Sequence, residues 1–233
     1  MTRLEPAPVL VLACGALARE LRDIVAANGL DHVSIECLAS ELHNRPDDIP
    51  AAVEARLDAV GHRYHEVLIG YADCGTGGRL DEVCQRRGLT RLPGAHCYEF
   101  YAGPEPFAQL HDEEPGTFYL TDFLARHFDR LVYQTLGLDR HPQLRDMYFG
   151  NYRRVVYLAQ RHDPALADMA RRAAERLGLA YEYRFSGYGQ LAETLVALTP
   201  VPVTPVPVTP VPVSLVPVSP LTVTPVTVSP VSV

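Results

Sequence analysis

Three times before residue 90 the chain runs a short apolar segment rich in β-branched residues into an amphipathic stretch that ends on glycine. That cycle restricts the architecture more than any other feature. Val9–Ala13 (VLVLA) is apolar on both faces and feeds a helical pattern from Ala16 to Ala27 that stops at Asn28-Gly29. His32–Leu38 reads as a second strand, followed by a helix over Ile49–Val60 with Pro50 in its first turn and Gly61 just past its end. Glu66–Gly70 and then Gly78–Arg87, closed by Gly88, repeat the pattern. Strands that are apolar on both faces and alternate with helices pair in parallel, with right-handed crossovers. The expected fold class is α/β: a single doubly wound, mostly parallel sheet with helices on both faces.

Further strands are expected at Arg91–Ala95, Arg154–Leu158 and Ala180–Phe185, with helices over Pro164–Gly178 and Tyr188–Leu198. Between them, Phe118–Leu136 and a shorter stretch around Gln143–Tyr148 read as a helical insertion, with Thr117–Thr121 (TFYLT) as the start of its first helix. One domain is thus expected over residues 1–198. From Thr199 the chain is almost entirely Val, Pro, Thr and Ser, with no charged residue after Glu193. Proline removes ladder donors and favours an extended polyproline-like chain, so residues 199–233 read as a disordered low-complexity tail.

The formal charge of -7 argues against a nucleic-acid or anionic-membrane partner, which calls for a basic face. The basic residues are all Arg; the absence of Lys removes Walker-lysine, Schiff-base and lysine-base chemistry. The apolar run at the N-terminus is too brief to span a bilayer and lacks a cleavage-like site, so the expected compartment is the cytoplasm. Five cysteines in no disulfide spacing suit a reducing environment.

In a doubly wound sheet, ligands bind outside the carboxyl ends of the strands, where the winding reverses. The first strand delivers Cys14 there, the second leads to Cys37 and a loop carrying His43, the third delivers Tyr71-Ala72-Asp73-Cys74 and the glycines after them, and the fourth His96-Cys97-Tyr98-Glu99. Thiols and imidazoles gathered at one crevice are soft donors for Zn or Fe, including an iron–sulfur cluster. The expected ligands are Cys14, His43, Cys74, His96 and Cys97. Cys14, Cys74 and Cys97 each precede a helix start, where the positive end of the dipole favours thiolate. Asp73 and Glu99, beside these ligands, are candidates for an oxygen ligand, a partner to a ligand or a proton shuttle; otherwise Asp73 caps a helix and Glu99 is a solvated first-turn acid. Gly75-Thr76-Gly77-Gly78 could cradle an anionic ligand through backbone amides. A nucleophilic cysteine would find its better base in His43. Cys84 falls mid-helix and reads as core; Cys37 leans towards burial within its strand. The other histidines read as surface residues.

The blocks CGALARE, LHNRP, YADCGTGG, AHCYEF, GTFYLTDF and NYRRVVYL together resemble the DUF1638 family over most of residues 8–198. The resemblance implies a cytoplasmic α/β protein with no established activity, associated with corrinoid-dependent methyl transfer and one-carbon metabolism. A small molecule or a corrinoid protein is then the implied partner. Cys14, His43, Cys74, His96 and Cys97 fall in the matching motifs. One departure is that the family pattern implies an Asp between the histidine and cysteine of the fourth block, whereas His96 here directly precedes Cys97. Two readings follow: a metal-binding protein or enzyme, or a non-catalytic accessory module that holds an anionic ligand or a cofactor-bearing partner in the glycine-rich crevice.

Overall fold

Strand β1 (Val9–Cys14) is buried along its whole length because parallel strands flank it on both sides. The computed structural model of the chain describes residues 8–198; the tail expected over 199–233 lies outside them. β1 pairs with β2 (Val33–Leu38) on one side and with β3 (Glu66–Gly70) on the other, and β4 (Thr90–Arg91) pairs with the far edge of β3. The order β2-β1-β3-β4 reverses its winding between β1 and β3, so the carboxyl ends of those two strands form the switch point. Gly70 ends β3 there, and a Cβ on it would stand 2.5 Å from that of Ala13. Only glycine lets the two strand ends lie so close.

Helices α1 (Ala18–Asn28), α2 (Ile49–Val60) and α3 (Arg79–Arg87) cover this sheet, burying Leu21, Ile24, Val53, Leu57, Leu80 and Val83 in its core. Strand, helix and stop follow the sequence pattern closely here, down to Gly88 at φ 63° after α3.

The single sheet expected from sequence is instead two parallel sheets. β4 is only two residues long, since Arg91 turns its side chain onto Asp81 and the carbonyls of Leu92 and Gly94, and Pro93 follows. Two helices come next, α4 (Cys97–Ala102), at the helix start expected beside Cys97, and α5 (Pro104–Glu113), which was missed in the sequence. Thr117–Thr121, read as a helix start, forms β5 (Thr117–Leu120); only Thr121 belongs to a helix, capping α6 (Asp122–Phe128) by accepting from the Leu124 amide. A β-branched and aromatic run favours a strand when a parallel partner exists. That partner is β6 (Arg154–Ala159), which pairs with β5 and with β7 (Ala180–Phe185).

After α6 the backbone takes a π-helical turn over Asp129–Tyr133, and α7 (Arg145–Phe149) precedes β6. Helix α8 (Pro164–Leu177) starts on Asp163, whose carboxylate accepts from the amides of Ala165 and Leu166. It buries Leu166, Ala170, Ala173 and Leu177 against the second sheet. The last helix, α9 (Gly189–Val196), returns to the first core, with Leu191 and Leu195 fully buried there. No helix among the described residues is long and apolar enough to cross a membrane.

Candidate functional site

The loops that leave β1, β3 and β4 deliver Cys14, Cys74 and Cys97 to one small cavity, which His43 and Tyr71 also line. Cys14 ends β1; its sulfur accepts from the Ala16 amide at 3.3 Å and stands 3.4 Å from His43 Nδ1. His43 comes from the 3-10 turn Ser40–Asn44 after β2 and stacks on the Tyr71 ring, centroids 6.2 Å apart at 16°. Tyr71 follows β3, and its buried hydroxyl lies beside Cys14 without reaching hydrogen-bond geometry with any partner.

Backbone hydrogen bonds lock the two loops that carry Cys74 and Cys97 to each other. The amides of Asp73 and Cys74 donate to the carbonyls of Gly94 and Ala95 at 3.1 and 2.9 Å. The Asp73 carboxylate accepts from the Thr76 hydroxyl and from the amides of Gly77 and Gly78. Glu99 closes the other loop, accepting from the Ala95 amide at 2.9 Å. Both acids considered for proton handling are thus engaged in holding loops.

The amides of Gly77 and Gly78 are spent on Asp73, which opposes the reading of Gly75, Thr76, Gly77 and Gly78 as an anion cradle. Thr76 is buried, and Gly75 faces Pro46. Burial alone would raise the Asp73 pKa, but the Gly78 and Gly77 amides and the Thr76 hydroxyl outweigh it and hold the carboxyl below its ordinary value.

The expectation that helix starts depress the three thiols is corrected. Burial pushes Cys14 up to about 12 against the opposing Ala16 amide, and Cys74 up to about 11. Cys97 also lies well above the ordinary thiol value, again chiefly by burial, with Cys74 and Cys14 adding to it. Desolvation dominates because these sulfurs sit under the loops rather than at exposed helix ends. Burial likewise lowers the His43 pKa, reinforced by His96 and opposed by the Ser40 backbone. Without a bound cation the cluster therefore holds neutral thiols and a neutral imidazole.

His96 is exposed and lines a neighbouring cleft of about 470 Å³ with His43, Cys74 and Cys97, not the small cavity. Cys37 is exposed on β2, contrary to its expected burial, because β2 is an edge strand; Cys84 is buried in the core as expected. The sequence placed Tyr71 at the carboxyl end of β3 but suggested no role for it. Among the described residues, no three His, Cys, Asp or Glu side chains are arranged as placed to hold a metal ion.

Fold and site together define an α/β protein with a doubly wound first sheet and a thiol–imidazole cluster at its switch point. The family model described as "Protein of unknown function (DUF1638)" matches residues 37–195, more than half of the chain, and the chain belongs to that family. The match includes His43, Cys74, His96 and Cys97, whereas Cys14 precedes it. No curated protein and no solved structure matches the chain.

Proposed function

We propose that the chain is a metal-binding protein in which Cys14, Cys74 and Cys97 supply thiolates and His43 the imidazole. The observation that carries this reading is the convergence of these four side chains, from four loops far apart in sequence, on one small cavity at the switch point. Their donor chemistry suits Zn or Fe, since soft sulfur and neutral imidazole favour both. The orphaned Tyr71 hydroxyl is a further polar group aimed at the same place. A cation there would offset the burial that otherwise keeps the thiols protonated, because a coordinated thiol gives up its proton.

A metal held by these residues would supply Lewis-acid chemistry. Residues of the chain do the rest: Asp73 and Glu99 fix the two loops, and the Tyr71 ring braces His43. A nucleophilic Cys14–His43 pair is the weaker reading despite the 3.4 Å approach. Burial keeps that thiol protonated, and Cys14 does not line the larger cleft.

The test is elemental analysis of reduced, untagged protein. At least about half an equivalent of Zn or Fe should be retained, and lost in Cys14→Ser and in Cys74→Ser. The exposed Cys37→Ser should keep it. Folded wild-type protein that retains no metal, even after reconstitution, would overturn the proposal.

A further inference from the structure

The cleft beside Cys74 and Cys97 has two unlike walls. Loops of the first sheet contribute the thiols, imidazoles, Ser40 and Asn44; β5, α6, the π-helical turn and α7 contribute aromatic and aliphatic side chains. Its volume of about 470 Å³ falls in the range of small-molecule sites.

Charged residues make up 21% of the chain, yet no Asp, Glu, Lys or Arg lines this cleft. A phosphate or carboxylate entering it would lose water and meet no Lys or Arg to pair with. Phe123, Leu131 and Tyr148 line it while belonging to none of the buried clusters, so core packing does not account for them. Leu131 reaches the cleft on the π-helical turn, an irregularity frequent at functional sites.

We propose that this cleft binds a small, uncharged and largely apolar molecule, its polar end turned towards Cys74 and Cys97. Apolar body and polar head match the two walls, and the absence of lining charge selects against anionic metabolites. The inference rests on the cleft lining alone and stands whether or not a metal occupies the thiol cluster.

Two fluorescent probes with similar rings separate the outcomes on the full chain: neutral phenylnaphthylamine and anionic anilinonaphthalene sulfonate. The neutral probe should saturate at one site and bind at least about tenfold more tightly than the sulfonate. Leu131→Asp and Phe123→Ser should each weaken it by about tenfold, with melting curves unchanged because neither side chain belongs to a core cluster. Cys14→Ser should lose metal yet keep the probe, so failure of the metal reading and failure of this one are read separately. Equal or tighter sulfonate binding, no saturation by the neutral probe, or full affinity in both cleft variants with native melting would overturn the proposal.

Discussion

Cys74 has φ 52°, the one positive value among the described non-glycine residues. A side chain in this left-handed region costs about 1–2 kcal/mol, and the paired loops hold it there through the Cys74 amide and the Ala95 carbonyl. Glycine would sit at this position without strain, so the thiol is retained at the expense of stability. Cys74→Gly should therefore be less destabilising than Cys74→Ala by about 1 kcal/mol in urea unfolding, although both lose the sulfur. An alanine variant as stable as the glycine variant would show that the backbone is not strained.

The residue types at the strand ends were legible because apolar runs fix where strands stop. The protonation of the thiols was not, because a helix start is visible in sequence whereas burial under a neighbouring loop is not. Tyr71 shows the same gap: its position after β3 could be read, but the absence of a hydrogen-bond partner for its hydroxyl depends on packing.

At the scale of elements, the site depends on two loops joined to each other by backbone hydrogen bonds. Asp73 secures one through Thr76, Gly77 and Gly78, and Glu99 secures the other through Ala95. Asp73→Ala should cost about 1–2 kcal/mol of stability, the usual loss when a capping carboxylate is removed. It should also lower metal retention, because Cys74 is then no longer fixed. Normal metal content in that variant would show that the clamp does not position Cys74.

The first three strand–helix cycles were legible because each has its own apolar run and glycine stop. The region from Arg91 to Leu120 was not, since β4 ends after two residues for a reason lying in Arg91 and its partners. β5 is a strand only because β6, distant in sequence, pairs with it.

At the scale of the whole molecule, a buried polar cluster lies between elements of both sheets. The Asp122 carboxylate accepts from the Tyr157 hydroxyl at 2.7 Å and the Gln160 amide at 3.0 Å, and Arg161 Nε stands 3.5 Å from its second oxygen. Glu20 of α1 joins this group with one carboxyl oxygen buried and unpartnered. Burial is the main cause raising the Glu20 pKa above 4.5; Asp122 and Asp23 add to it, while its own backbone and Arg161 oppose it.

A raised folded pKa means that the protonated form stabilises the fold. That contribution is complete below the ordinary carboxylate value and is lost as pH rises through the shifted one. Glu20→Gln should accordingly raise the melting midpoint at neutral pH, with the difference closing in acid. A lower midpoint at neutral pH would instead show Glu20 acting as an ion-pair partner of Arg161.

None of this cluster could be read from sequence, where Glu20 looks like an ordinary first-turn acid of α1. The division into two sheets was hidden for the same reason, since alternation of strand and helix continues in sequence across the break between β4 and β5.

X-ray absorption at the edge of the bound metal tests the central claim most directly, because it reads the ligand set itself. A shell of about three sulfurs near ~2.3 Å and one nitrogen near ~2.0 Å is predicted for the reduced wild-type chain, with one sulfur fewer in Cys14→Ser if metal is restored. A shell of nitrogen and oxygen alone would contradict it.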